Sequence, residues 1–165
     1  RIAAHFTPER LAAFPNVDGV AAFAQTSGCG MSSPSEHFDV LRRTLAGYAR
    51  HPNLAGVLIV GLGCERNQVD ALVDSQGLKQ GQLLRTLVMQ EVGGTRATIE
   101  AGIAAIEEML PIADQAQRST VSAAQRPWLP NGSSRSSAVG VFFNGNVVSN
   151  AVHGNSQVFH KKDPP

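Results

Sequence analysis

The sequence predicts an α/β fold, a three-layer sandwich with a mainly parallel sheet built from βαβ units, and three observations carry that prediction. Apolar runs at 20–24, 56–60 and 87–89 each enter a glycine-bearing polar loop. Helical periodicity follows each loop, and strand and helix alternate at intervals of roughly 30 residues, the grammar of βαβ units. The 165 residues suit one domain with a real core.

Each element has a local cause. Val17-Asp18-Gly19 makes a turn into the first strand, 20–24. Ser33-Pro34-Ser35-Glu36 fits a capping box with Ser33 as N-cap and Pro34 at the first helical position. Phe38, Leu41, Leu45 and Tyr48 then form one apolar stripe, Arg42, Arg43 and Arg50 point elsewhere, and His51-Pro52-Asn53 closes the helix. Val57-Leu58-Ile59-Val60 is dense in β-branched residues with no polar face, so it predicts a central strand covered on both sides. Val69, Leu72 and Val73 mark a short helix ending near Gly77, and residues 83–89 supply the third strand. Thr95 is placed to cap a helix with Ile99, Ile103, Ile106 and Leu110 on one face, stopped by Pro111. Residues 1–118 are thus expected to form the α/β domain. Residues 119–165 are expected to be a divergent, partly disordered tail in which only 139–143 is strand-like.

Composition narrows the partners. A formal net charge of +1 without a long basic run argues against nucleic acid and anionic membrane surfaces. No apolar run approaches the roughly 20 residues that span a bilayer, and residues 1–15 lack a signal core, so a soluble, cytoplasmic protein is expected. Two cysteines are too few for a disulfide scaffold and are expected to be reduced. Arg1 in place of Met, with Pro164-Pro165 at the end, suggests a processed product or a piece of something longer.

If the three apolar runs are neighbouring parallel strands, their loops open together at the carboxyl edge of the sheet, where open α/β folds bind ligands. Gly28-Cys29-Gly30 and Gly63-Cys64-Glu65 each put a thiol where glycines let backbone approach a ligand. Each thiol reads either as a ligand for a soft metal or as a small buried apolar residue at a strand end. Glu65 and Glu91 lie just past strands, where a carboxylate serves as base, metal ligand or hydroxyl acceptor, or is simply solvated. Gln68, Gln90 and Thr95 can hydrogen-bond a polyhydroxylated substrate, although Gln68 and Thr95 also suit helix starts. Gly93-Gly94-Thr95 offers backbone amides and a helix dipole to a carboxylate or phosphate. Gly61-x-Gly63 opens like a dinucleotide fingerprint, but Arg66 stands where the third glycine belongs.

Together, Asp18-Gly19-Val20, Ser27-Gly28-Cys29-Gly30, the run from Arg43 to Asn53, Gly61-Leu62-Gly63-Cys64-Glu65 and Gly93-Gly94-Thr95 resemble the altronate and galactarate dehydratase family of sugar-acid lyases. The resemblance covers residues 14–118. It implies a metal-dependent β-elimination of water from an aldonate or aldarate, giving a 2-keto-3-deoxy sugar acid, with Fe2+, Mn2+ or another divalent ion as cofactor. On that reading Cys29, Cys64 and Glu65 are the catalytic and metal-binding candidates. Gln25, Thr26, Gly30, Gln68, Gln90, Gly93, Gly94 and Thr95 would bind the substrate. The family pattern has a histidine four positions before the first glycine-flanked cysteine, where this chain has Gln25. A homo-oligomer or a companion chain is an expected partner besides the sugar acid. Two other readings stand beside it, a non-catalytic remnant binding a sugar acid or partner chain, and a nucleotide-binding α/β domain.

Overall fold

The computed structural model describes residues 1–25, 30–32, 34–116 and 138–144. In chain order the elements are α1 (Ile2–His5), α2 (Pro8–Leu11), β1 (Gly19–Ala24), α3 (Glu36–Ala49) and β2 (Leu54–Gly61). They continue with α4 (Val69–Ser75), β3 (Leu84–Val88), α5 (Met89–Val92), α6 (Thr95–Ala113) and β4 (Ala138–Asn144). The four strands form one parallel sheet in the order β1-β4-β2-β3. This is the expected α/β sandwich.

One expectation about the sheet is corrected. β1 and β2 are not neighbours, because β4 lies between them and pairs with both. The strand-like run 139–143 is therefore an inner strand of the sheet. Val139, its described apolar side chain, is fully buried. β2 is interior, as its unbroken apolar run predicts.

Alternation along β2 divides the core, since successive residues point to opposite faces. Leu58 and Val60 join Ile106, Met109 and Leu110 of α6 and Ile2 of α1 on one face. Val57 and Ile59 join Ala46 of α3 and Val69, Leu72 and Val73 of α4 on the other. The sheet is thus covered on both sides. Ile2, Phe6 and Leu11 bury the amino-terminal helices, and Asn16 clamps this segment to the end of α6. Its backbone N–H donates to Asp114 Oδ1 at 2.8 Å, and its side-chain amide donates to the Asp114 carbonyl at 2.8 Å.

Several helix details differ from the sequence reading. Ser33 lies outside the described residues, and α3 is capped by Ser35, whose Oγ accepts from the Phe38 N–H at 3.3 Å. Tyr48 does not join the buried stripe. It is 44% exposed and stacks on Phe23 at 5.2 Å between ring centres. Thr95 is the first helical residue, not the cap, and Gly94 precedes it at φ 96°. Pro111 does not stop α6, which runs on to Ala113. So near the end its missing N–H removes one backbone bond, while buried Leu110 and Ala113 hold the last turn against the sheet. Gly77 follows α4 at φ 59°, the left-handed conformation expected of it.

Candidate functional site

The register sets all four strand ends level. Ala24 pairs with Phe143, Val60 with Phe143, and Gly61 with both Asn144 and Val88. The loops after β1, β2 and β3 consequently leave the same edge. Beyond β2 the chain passes to α4 on one face, and beyond β3 it passes through α5 to α6 on the other. A crevice opens where neighbouring strands send their connections to opposite faces, and this is the place where open α/β sheets hold ligands. By that rule the place to look is at the ends of β2 and β3.

The two loops meet there. The Gln90 backbone N–H donates to the Leu62 carbonyl at 3.2 Å. Gly63 has φ 109°, and a Cβ built on it would stand 2.7 Å from Gln90 Oε1 and 3.0 Å from Gln90 Cβ. Glycine is required by both the conformation and the close approach. Gly63→Ala is expected to cost roughly 1–3 kcal/mol of stability through left-handed strain and crowding. Adding Gln90→Ala should recover only part of that loss, because the strain stays. Urea unfolding of the four chains of this double-mutant cycle measures both parts, and full additivity would show that the two loops are not coupled.

Glu65 organises the loop from inside. Its carboxylate is buried, 2% exposed, and accepts the Leu62 N–H at 3.1 Å and the Gly63 N–H at 2.5 Å. Gly61 makes room for it, since a Cβ there would fall 2.6 Å from Glu65 Oε1 and 2.4 Å from Val69 Cγ2. Gln68 closes the turn with its amide nitrogen, which donates to the Glu65 carbonyl at 2.6 Å and the Gly63 carbonyl at 3.2 Å. Charge-assisted bonds of this kind are about twice as strong as neutral ones. Because a side-chain anion already fills the amides that a fingerprint loop would offer a phosphate, a nucleotide would have to displace a like charge. That geometry argues against the nucleotide reading.

The structure brings Glu65, Gln68 and Gln90 together with the Gly63 backbone. Gly93, at φ 105°, Gly94 and Thr95 lie beyond α5 at the start of α6, and the Thr95 hydroxyl faces Met89 Sδ at 3.6 Å. Gln25 is half-buried at the end of β1 and Gly30 is exposed before α3. Since β4 intervenes, Gln25 stands about two strand spacings, roughly 10 Å, from the β2 exit. Thr26 and Cys29 lie outside the described residues.

The donor set tests the expected divalent ion. Cys64 is exposed whereas its neighbour Glu65 is buried with both oxygens bonded to loop amides. Among the described residues no group of three His, Cys, Asp or Glu is placed to hold a metal ion. The described residues alone do not fit such an ion.

Asn67, for which the sequence suggested no role, and Arg42, expected only to point away from the apolar stripe of α3, belong to this region. Asn67 is 2% exposed, and its Oδ1 accepts from Arg42 Nε at 2.9 Å. Arg42 is therefore not simply a solvated residue of α3. The signal in the sequence was faint, because a polar residue between Arg66 and Gln68 reads as exposed loop. Two open hollows lie elsewhere, one of about 230 Å³ among His5, Phe6, Arg10, Phe14, Glu107 and Leu110, the other among Glu36, Asp39, Arg43 and Gln76. Neither contains a candidate residue.

A family model described as D-galactarate dehydratase/altronate hydrolase, second domain, matches residues 1–114. The match includes the amino-terminal helices that precede the resembling blocks. An altronate dehydratase of Escherichia coli (strain K12) is 35% identical over 92 residues, 56% of this chain and 18% of that protein. An altronate dehydratase of Bacillus subtilis (strain 168) is 30% identical over 92 residues, with the same coverage, 56% and 18%. The match thus spans under a fifth of each relative's length. No solved structure matches the chain.

Proposed function

Because this chain belongs to the D-galactarate dehydratase/altronate hydrolase family through that family's second domain, we propose that it forms part of the substrate site of a sugar-acid dehydratase. The reaction is elimination of water across carbons two and three of an aldonate or aldarate, giving a 2-keto-3-deoxy acid. The observation that carries the reading is the meeting of the loop that Glu65 organises with Gln90 of α5 at the carboxyl ends of β2 and β3. Those residues lie within the stretch matched to the family.

Each group then has a task. Gly93 and Gly94 shape the wall at the β3 end, where both of their amides donate to the Met89 carbonyl, and the Thr95 amide at the positive end of α6 bonds a hydroxyl of the substrate. Gln90 hydrogen-bonds the hydroxyls. Glu65 keeps the opposite wall in shape from beneath, and the exposed Cys64 borders the opening. The divalent ion that the resemblance implies would draw on groups beyond Cys64 and Glu65, so no step here passes through it.

Gln25 favours a second reading, a sugar-acid-binding domain without turnover of its own, completed by a companion chain. A neutral amide cannot transfer a proton as imidazole does. The test is formation of 2-keto-3-deoxy acid from altronate and galactarate, with and without added Fe2+ or Mn2+, by the chain and by Gln25→His. A general base is worth about 10²–10⁴-fold, so Gln25→His is expected to raise turnover by about 10²-fold. Binding of either acid without turnover in both chains would uphold the second reading. Failure to bind either acid would remove both.

A further inference from the structure

We propose that Arg42 is a positioning residue for the loop between β2 and α4, acting on it through Asn67. The inference rests on the reading of that loop as a wall of the substrate site. From Cys64 to Val69 the loop alternates, with Cys64, Arg66 and Gln68 exposed and Glu65, Asn67 and Val69 buried. A slip of one residue would exchange the two rows and turn Cys64 and Arg66 inward. The inner row must therefore be pinned at more than one point.

Glu65 is pinned by the Leu62 and Gly63 amides, which belong to the loop itself and would travel with it. Asn67 is pinned from outside the loop. Arg42 sits on α3, a 14-residue helix packed on the sheet, and its Nε donates to Asn67 Oδ1 at 2.9 Å. The guanidinium is itself aimed, for its central carbon lies 4.4 Å from the centre of the Phe38 ring, one helical turn earlier, and Phe38 is only 4% exposed. A ring fixed in the core beneath a planar cation restricts the directions in which that cation can donate. Arg42 thereby ties the inner row of the loop to a helix whose own position is set by the core.

Hydrogen exchange of the full chain, read peptide by peptide, tests this without substrate. In Arg42→Met, which keeps an apolar stem over Phe38 and removes the donor, protection of residues 62–67 is expected to fall roughly tenfold while α6 keeps its protection. Arg42→Lys returns a donor and should recover part of the loss. Unchanged loop protection in Arg42→Met, an equal loss in α6, or no recovery in Arg42→Lys would each overturn the proposal. A chain that binds no sugar acid yet shows the loop-specific loss would sink the functional reading and leave the positioning role intact. Normal binding with unchanged exchange would do the reverse.

Discussion

A chain ending at residue 118 is expected to lose the cooperative unfolding of the full chain altogether. The cause is the place of β4. It pairs with β1 on one side and β2 on the other, so its loss leaves two facing strand edges separated by about 10 Å, too far to pair. It also removes Val139 from the core shared by β2 and α6. Unpaired edges are templates for association between chains, so the shorter chain should aggregate and bind a hydrophobic dye. Calorimetry and size-exclusion chromatography measure the outcome. A monomeric 1–118 chain with a sharp melt would show that the sheet closes without β4.

The second large effect is expected from Glu65→Ala. Two backbone amides lose a charged acceptor beneath the surface, and hydrogen bonds to charged groups contribute about 1.5–3 kcal/mol each, so the loss should reach about 3 kcal/mol or more. Glu65→Gln keeps one carbonyl oxygen but turns an NH2 group toward the other N–H, and its loss should be intermediate. The ordering of wild type, Gln and Ala in urea midpoints is the measurement. Sugar-acid binding should fall in the same order, because Gly63 and Cys64 take their positions from this carboxylate. Equal midpoints for the Gln variant and wild type would mean that the charge does not organise the loop.

The strands and long helices were legible in the sequence because their signals are local. Four β-branched or leucine side chains at 57–60 make a buried strand, and Ile99, Ile103, Ile106 and Leu110 make one face of a helix. What decides strand order is not local. Val139 finds its neighbours across more than a hundred residues in β1 and about eighty in β2, and nothing in the run 139–143 names them. The four-residue helices α1 and α2 were equally invisible, since Ile2, Phe6 and Leu11 are buried by contacts with α6 and the sheet and not by a pattern of their own.

For the site, the glycine loops and their shared edge were legible, and the duties of the side chains were not. Glu65 follows a strand, which reads as a catalytic position, yet the carboxylate turns back onto amides two and three residues before it. A competing bond of that kind appears only when the turn is formed. Asn67 looks like loop in the sequence and is buried because α3 supplies Arg42.

The level strand ends bear on the shape of any acid that binds. Four parallel exits at spacings of about 4.8 Å make a row roughly 14 Å wide, while five carbon–carbon bonds of about 1.5 Å reach only half as far. A six-carbon acid laid along this row spans at most two of its three intervals. On the proposed reading its carbon skeleton runs from the glycines before α6 toward β4, where its reacting end comes within one strand spacing of residue 25, and chain length becomes a ruler that sets how near that end can come.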